Sequence, residues 1–338
     1  MNSLLKQLDE TQRSALREMP HPDWIPPMLA TLADEPFARE GWMFERKLDG
    51  ERMLTFRCGG EIRLRSRNRK PHNATYPELV EAAAALEQDN FVLDGEIVAF
   101  RGNRTSFERL QRRMQIQREE EARASRVKVY YYVFDLPCWD GYDLRRLPLR
   151  VRKRLLKKAL AWDDPIRFLP HWNTDGKKRH REACRRGWEG IIAKDGNSRY
   201  ESRRSRKWLK FKCVRQQEFV IGGYTDPEGA RQGFGALLIG YYQDEALRYA
   251  GAVGTGYDDA FLENFSARLR KHTRKGCPFA RQDRGGLPRQ GAHWVAPRFV
   301  GQVGFTEWTR DGKLRHPRFL GLRDDKAPRE VVRERPKD

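Results

Sequence analysis

Short apolar runs alternate with a few amphipathic stretches over the first two thirds of the chain. Period-two or continuous apolar runs favour strands, and apolar residues three or four apart favour helices. Strands are predicted over residues 42–57, 61–66, 91–100, 127–136, 190–194 and 208–213, and helices over 77–86, 107–121 and 149–160. The first two strands form a hairpin that turns at Gly59 and Gly60. This mixture predicts an α+β fold with antiparallel sheets and flanking helices.

The pattern changes near residues 214–218. Short strands with glycine turns follow at 219–224, 235–243, 246–253 and 299–308, with a helix over 258–271 and a Gly/Pro/Arg-rich loop over 273–292. Several short strands with one intervening helix predict a small OB-type barrel. We therefore expect a leader at 1–21, a first domain at 22–214 and a second at 215–338.

Charge narrows the choice of partner. The 338 residues carry 67 Lys+Arg against 47 Asp+Glu, a net charge of +20, with a sequence pI of about 10.0. Such an excess favours nucleic acid as the partner. A membrane is disfavoured, because no apolar run approaches the roughly 18 residues of a spanning helix and the N-terminus lacks the apolar segment of a signal peptide.

Cysteine and histidine usage indicates neither zinc fingers nor a metal cluster. The five cysteines include no C-x-x-C pair, and the seven histidines are scattered. We expect five free thiols in a reducing cytoplasm.

The run Phe44-Glu45-Arg46-Lys47-Leu48-Asp49-Gly50-Glu51-Arg52 holds the candidate nucleophile, Lys47. An amine attacks phosphorus only when neutral, so burial or nearby cations must lower its pKa. In an extended strand Lys47 and Asp49 point to one side, and Gly50 permits a close bend. That bend would let the guanidinium group of Arg52 face a phosphate. Taken alone, the run also fits an exposed strand that ends in a turn.

Other predicted strands repeat the spacing of two that sends side chains to one face. The pairs are Arg65 with Arg67, Asp94 with Glu96, and Lys210 with Lys212. Cations and carboxylates facing one cleft suit a metal–triphosphate, since Mg²⁺ takes a few carboxylates plus phosphate oxygens. Each element has a plainer interpretation: the lysines as a solvated face, Asp94–Glu96 as a turn, Glu189 as a strand cap and Phe134 as core.

The ordered set KLDGER, SRN, LDGEIVAF, VFDL, EGIIAK and WLKFK resembles the nucleotidyltransferase motifs of ATP-dependent DNA ligases. The second half adds GFGALL, VGTG and a terminal R-x-D-K at 323–326. The pattern is similar to the ligase domain of bacterial end-joining ligases of the Lig D type and covers about residues 25–330. It implies an adenylation domain at 22–214 and an OB-fold domain at 215–338.

The resemblance implies a role for each motif residue. Lys47 would form the lysyl–AMP, Glu45 would lie by the adenine edge and Phe134 would stack on the adenine. Arg52 would contact the ribose or the nicked end, and Arg67 a phosphate. The remaining roles are metal or ribose binding for Glu96, metal binding for Glu189, α-phosphate binding and leaving-group activation for Lys194, Lys210 and Lys212, and pyrophosphate orientation for Arg323, Asp325 and Lys326.

The implied reaction is three phosphoryl transfers with ATP as substrate and Mg²⁺ or Mn²⁺ as the metal. AMP passes from ATP to Lys47, then to a DNA 5′-phosphate, and leaves when the 3′-hydroxyl attacks. Because the barrel must serve different steps, a hinge is expected at 213–217. The implied partners are nicked or broken duplex DNA and a Ku-like end-binding protein, for a cytoplasmic, nucleoid-associated monomer acting in DNA repair.

The chain departs from the family pattern in places. We expect neither a fused polymerase or nuclease domain nor a large helical DNA-binding domain, and Arg69 stands where glycine is common. An RNA ligase, a GTP-using capping enzyme and a non-catalytic OB protein stay open as alternatives. NAD-dependent ligases are disfavoured, because the four-cysteine zinc module is missing.

Overall fold

A computed structural model describes residues 3–213, 216–227, 229, 232–288 and 290–334. The chain divides into two compact units between Cys213 and Val214. The predicted division, at 214/215, lies one residue away. Part of the hinge predicted over 213–217 lies outside the described residues.

The first unit contains two sheets. Its strands are β1 (Arg17–Glu18), β2 (Leu29–Leu32), β3 (Trp42–Lys47), β4 (Glu51–Cys58), β5 (Glu61–Ser66), β6 (Asn90–Arg101), β7 (Arg104–Thr105), β8 (Val129–Trp139), β9 (Tyr142–Asp143), β10 (Ile166–Phe168), β11 (His171–Trp172), β12 (Gly190–Asp195) and β13 (Arg204–Lys212). An eight-stranded sheet has the order β1-β9-β8-β6-β4-β5, with β7 and β10 added at β6 and β8. A five-stranded sheet has the order β11-β3-β12-β13-β2. Pairing is antiparallel except for β10 with β8 and β13 with β2.

The predicted strand over 42–57 is in fact two strands in different sheets. β3 belongs to the five-stranded sheet and β4 to the eight-stranded one, with Leu48, Asp49 and Gly50 between them. The hairpin of β4 with β5 is confirmed, and its turn is at Gly59 and Gly60. An apolar run shows where a chain is extended, but it does not show which sheet each end joins.

In the described part of this unit, six α-helices flank these sheets: α1 (Glu10–Ser14), α2 (Pro77–Ala84), α3 (Phe107–Met114), α4 (Glu119–Ala124), α5 (Leu149–Ala159) and α6 (Gly176–Arg185). The single helix predicted over 107–121 was wrong. The chain breaks after α3 because the buried Arg113 side chain bonds the Ala122 and Thr75 carbonyl oxygens and the Glu78 carboxylate. These bonds hold α4 back against the end of α3.

The expectation of a separate leader at 1–21 is also corrected. Leu4, Leu5 and Leu8 are buried in the main core of the first unit, and β1 pairs with β9. Most residues of this segment are polar, which favours a separate leader. Its few leucines supply the apolar surface that joins it to the core.

The second unit is built on a five-stranded antiparallel sheet of order β16-β15-β14-β17-β20. Its elements are β14 (Gln216–Thr225), β15 (Leu237–Gln243), β16 (Ala246–Val253), α7 (Asp259–Arg270), β17 (Ala292–Gly304), β18 (Glu307–Trp308), β19 (Leu314–Arg315) and β20 (Arg318–Leu322). One apolar cluster fills it, with Phe265 of α7 packed edge-on to Phe299 of β17. Short strands around one core with a single main helix form the expected OB-type region.

The expectation of five free thiols was wrong. Cys184, near the end of α6, and Cys213, just after β13, form a disulfide with their Cα atoms 5.1 Å apart. The two cysteines are 29 residues apart in sequence, so their spacing carries no sign of the pairing. Cys58, Cys138 and Cys277 are free.

Candidate active site

Lys47 is the last residue of β3, and its neighbours across the sheet are set by register. Gly190 of β12 pairs with Lys47 on one side and with Lys212 of β13 on the other. Two residues further along β12, Ile192 lies between Glu45 and Lys210. Because paired residues share a face, Glu45, Lys47, Lys210 and Lys212 project from the same side of the sheet.

The other side of this sheet is mainly apolar, with Arg46 stacked over Trp188. Phe44, Ile191, Ala193 and Phe211 are buried there, with Ala183 of α6 packed against them. Alternation along three adjacent strands therefore separates a core face from a charged face. The charged face is the one that the spacing of two predicted for Lys210 and Lys212.

The register position between Lys47 and Lys212 requires a glycine. Gly190 has φ +151°, and a Cβ at this position would lie 1.9 Å from the carbonyl oxygen of Phe211. The residue before it, Glu189, places a carboxylate oxygen 2.6 Å from Lys47 Nζ. The two side chains are 7% and 19% exposed, so the pair is partly open to solvent.

The electrostatic surroundings of Lys47 differ from those expected. Burial alone would lower the pKa of Lys47, but the carboxylate of Glu189, helped by Glu96 and Asp49, outweighs burial and raises the pKa. The prediction that burial or nearby cations lower the pKa of Lys47 was therefore wrong for this state. Three carboxylates keep Lys47 protonated, and the ammonium must lose its proton before it can attack phosphorus.

The predicted alternation of Lys47 and Asp49 was wrong as well, since Asp49 lies in the turn after β3. Gly50 permits that turn, because a Cβ there would lie 2.1 Å from the carbonyl oxygen of Ile97. Arg52 then starts along β4, opposite Glu96 of β6. The bend that the role of Arg52 required is present, and it carries the chain from one sheet to the other.

Arg52 is held by a bidentate pair with Asp94. Its Nε and Nη2 donate to the two carboxylate oxygens at 2.5 and 2.6 Å, and the Tyr200 hydroxyl donates to the same carboxylate at 2.6 Å. The guanidinium carbon lies 4.4 Å from the centre of the Phe134 ring. The ring expected to stack on adenine thus has a cation stacked against it here.

Glu45 lies between two buried lysines. Its carboxylate is 2.8 Å from Lys153 Nζ and 2.7 Å from Lys194 Nζ. Burial alone would raise the pKa of Glu45, but the two lysines outweigh it and lower the pKa. Burial and the positive charge of Lys153 lower the pKa of Lys194 to about 8 in spite of Glu45, because one carboxylate is shared by two cations.

Lys194 also contacts the aromatic side of the site. Its Nζ lies 4.1 Å from the Phe134 ring centre and 3.9 Å from that of Trp208. Phe134 is 6% exposed and belongs to an apolar cluster that includes residues of both sheets. The plainer interpretation of Phe134 as a core residue is confirmed, and its stacking on adenine stays a prediction.

Sequence reasoning missed Lys153, Tyr200 and Trp208, and it did not select Asp94. Lys153 lies in the basic amphipathic helix α5. Its position on the apolar side of this helix is the only sequence signal that it is buried. The spacing of two pairs Asp94 with Glu96, whereas the arginine partner of Asp94 lies 42 residues away in sequence.

Arg65 lies in β5, whereas Arg67 lies in the turn that follows this strand. The predicted pair of Arg65 with Arg67 therefore does not share one strand. Arg69 has φ +62°, the left-handed conformation that favours glycine. The turn thus keeps a glycine-like backbone, and the Arg69 guanidinium lies over the Trp24 ring at 5.7 Å.

In the second unit, the R-x-D-K segment makes two ion pairs. Arg323 Nε and Nη2 donate to the two oxygens of Asp325 at 2.8 and 2.7 Å, and Lys326 Nζ lies 3.2 Å from a Glu218 oxygen. Burial alone would raise the pKa of Asp325, but Arg323 outweighs it and lowers the pKa. Asp325 therefore orients Arg323, and the pyrophosphate roles of all three residues stay predictions.

Comparison of the chain with models of protein families shows which family it belongs to. The "ATP dependent DNA ligase domain" model matches residues 27–212, and the "ATP dependent DNA ligase C terminal region" model matches 230–326. The chain belongs to the ATP-dependent DNA ligase family. The resemblance stated from the motifs is thereby confirmed, and so is the α+β fold with an OB-type second region.

Ligase relatives match nearly the whole chain. The multifunctional non-homologous end joining protein LigD of Pseudomonas aeruginosa is 38% identical over 327 residues, 94% of this chain and 37% of that protein. LigD of Mycolicibacterium smegmatis is 35% identical over 320 residues, 93% of this chain and 40% of that protein. The chain thus spans about two fifths of the length of these relatives.

One solved ligase structure extends this agreement to the fold. A mycobacterial DNA ligase D complexed with ATP and MES has a TM-score of 0.64 and 33% identity, covering 92% of this chain and 98% of the other. Among the described residues of this chain, no helix is long and apolar enough to cross a membrane.

Proposed function

We propose that this ligase seals 5′-phosphate/3′-hydroxyl breaks in duplex DNA through an AMP group carried on Lys47. The observation that carries the proposal is the Lys47–Glu189 pair at 2.6 Å, at the open end of a strand and in the same row as Lys212. A nucleophile must be reachable by its substrate and must have a nearby base to take its proton. Lys47 and Glu189 meet both needs.

In the first step, the Lys47 nitrogen passes its proton to Glu189 or to water and uses its lone pair to attack the α-phosphorus of ATP. The N–P bond forms while the bond to the β-phosphate oxygen breaks, and pyrophosphate leaves. Lys194, Lys210 and Lys212 would offset the charge that develops on the phosphate oxygens. Glu45 would lie at the adenine edge, and Phe134 would stack on the ring once Arg52 moves from it.

In the later steps, a 5′-phosphate oxygen displaces Lys47 from AMP, and a 3′-hydroxyl then displaces AMP from the DNA. Arg52 and Arg67 are the cations proposed to hold the ribose, the nicked end or its phosphate. Arg323, Asp325 and Lys326 would orient pyrophosphate in the first step. A hinge over 213–217 would let the second unit serve both stages.

The carboxylates beside Lys47 fit a hard divalent cation. Glu189 and Glu96 both act on the charge of Lys47, and oxygen ligands suit Mg²⁺ or Mn²⁺. Among the described residues, neither carboxylate belongs to a group of three ligand side chains, so phosphate oxygens and water would complete the shell. Such an ion would supply charge neutralisation at the phosphates.

The test is nucleotide transfer to protein. The protein is incubated with ATP or GTP labelled at the α-phosphate, with Mg²⁺ or Mn²⁺, and run on a denaturing gel. Label from ATP and sealing of nicked DNA support the proposal. Label from GTP indicates a capping-type enzyme, sealing of nicked RNA alone indicates an RNA ligase, and absence of label overturns the proposal.

End joining is the proposed setting, with a Ku-like end-binding protein as partner and a nucleoid-associated, cytoplasmic monomer as the working form. Its support is the similarity to LigD proteins together with the net charge of +20. Phosphate contacts release counterions, so binding to nicked duplex should weaken steeply with salt. Binding that does not respond to salt would rule out phosphate contact as the main source of affinity.

A further inference from the structure

A cluster of soft donor atoms lies on the side of the five-stranded sheet away from the charged face. His180 and Cys184 are one turn apart on α6, and Cys213 follows β13. The imidazole nitrogens and the two sulfur atoms offer ligand atoms that all lie within 4.8 Å of one another. Cys184 Sγ is 3.6 Å from His180 Nε2 and is bonded to Cys213 Sγ.

The donor set has a defined chemistry. Residues four apart on a helix share a face, so His180 and Cys184 present their ligand atoms together. Two thiolates and one imidazole are ligands that select Zn²⁺ and similar soft cations over Mg²⁺. All three side chains are half-buried, so an ion can reach them from solvent.

We propose that His180, Cys184 and Cys213 form a redox-gated site for a thiophilic divalent cation of the Zn²⁺ type. In the oxidised form the sulfur atoms are bonded to each other and the site is closed. A dithiol reductant supplies two electrons and two protons, cleaves the S–S bond to two thiols and is itself oxidised to a disulfide. The cation then displaces one proton from each thiol and takes two sulfur atoms and one ring nitrogen, which leaves one position for water.

The site touches the backbone that carries the nucleophile's partner. The Cys213 N–H donates to the Glu189 carbonyl oxygen at 2.9 Å, and the Gly187 N–H donates to the Cys184 carbonyl oxygen at 3.0 Å. His180 Nε2 is 3.4 Å from the Lys212 carbonyl oxygen. A disulfide or a bound ion would therefore tie the end of α6 to the end of β13, on both sides of the segment that holds Glu189.

Cobalt is the probe, because thiolate-to-Co²⁺ charge transfer gives an absorption that reports sulfur ligation. The full chain is reduced with a dithiol, freed of reductant without oxygen and titrated with Co²⁺ in excess Mg²⁺. We expect one equivalent to bind with a charge-transfer band, and Zn²⁺ to displace it. The same protein left oxidised is the matched control and should show no band.

Variants assign the ligands. Cys184→Ser and Cys213→Ser should abolish the band. His180→Ala should weaken Co²⁺ binding by at least roughly tenfold, because loss of a residue that only hydrogen-bonds a metal ligand already has that effect. Cys58→Ser, which changes an exposed free thiol, should bind as the wild type does. Thermal unfolding of each reduced variant checks that it is folded.

A readout without substitutions covers the case of a variant that fails to fold. In the reduced wild type, bound Zn²⁺ should protect Cys184 and Cys213 from alkylation by at least tenfold in rate, with Cys58 unprotected, as read by mass spectrometry. Absence of a stoichiometric band in reduced wild type, or equal alkylation with and without Zn²⁺, overturns the proposal. Neither readout depends on ligase activity.

Discussion

Glu45 and Lys47 lie two residues apart on β3 and face the same side of the sheet, yet their surroundings differ. Glu45 is 2% exposed and is held by Lys153 and Lys194. Lys47 is 19% exposed, and its closest carboxylate belongs to Glu189, itself 7% exposed. We call Glu45 with its two lysines the inner group and Lys47 with Glu189 the outer pair. The inner group is buried on all sides, whereas the outer pair lies at the strand end, where a substrate can reach it.

The free-energy cost of losing one charged partner should differ between these two groups. A buried ion pair recovers its desolvation cost only while all its members are present, so removal of one leaves a charge stranded in a poor solvent. A partly exposed pair can exchange its partner for water or for a phosphate at low cost. The inner group should therefore control folding, and the outer pair should control chemistry.

The largest effect is expected at Lys47. Lys47→Ala removes the only atom proposed to bond AMP and should abolish transfer of label from α-labelled ATP, while the free energy of unfolding changes by less than about 2 kcal/mol. Lys207→Ala, a change to an exposed lysine of the same sheet, is the control and should be labelled normally. Labelled Lys47→Ala protein would refute the nucleophile assignment.

Glu45→Gln should be the most destabilising of these changes. It leaves Lys153 and Lys194 buried without their carboxylate, at a cost of about 3–5 kcal/mol in the free energy of unfolding measured with denaturant. Glu201→Gln, in an exposed pair with Arg203, should cost less than about 1 kcal/mol. A similar small loss for Glu45→Gln would show that the buried triad does not stabilise the fold.

The comparison extends to the second unit. Arg323 and Asp325 are 10% and 2% exposed, like the inner group, whereas Lys326 and Glu218 are 16% and 20% exposed, like the outer pair. Arg323→Ala should lower the free energy of unfolding by about 3 kcal/mol. Lys326→Ala should change it by less than about 1 kcal/mol but slow labelling with ATP. It should spare sealing of pre-adenylated DNA, and equal losses in both steps would contradict the pyrophosphate role.

The smallest effect expected is a shift in a pH profile. Burial lowers the pKa of Lys47 and Glu189 raises it, so Glu189→Gln should lower that pKa. A lower pKa leaves more neutral amine at a given pH, so the acid limb of the labelling rate should move to lower pH even if the maximum rate falls. Glu182→Gln, on α6 with arginine partners, should leave the limb in place. A limb that stays fixed or moves upward in Glu189→Gln would contradict this account.

The sequence predicted the elements of the charged face better than the partners of its charges. Period-two spacing placed Lys210 with Lys212 correctly, because alternation is local to a strand. Lys153 and Asp94 could not be assigned, since their partners lie far away in sequence. The break after α3 and the burial of Leu4, Leu5 and Leu8 likewise depend on tertiary contacts that no local pattern contains.

The turn at Leu48, Asp49 and Gly50 limits how this protein can be altered. It is the short crossing between two sheets, and Gly50 meets the Ile97 carbonyl oxygen too closely to accept a side chain. An insertion there would change the reach from Lys47 to Arg52. The β4–β5 turn at Gly59 and Gly60 has open space around both glycines, so it is the place to graft a tag or reporter.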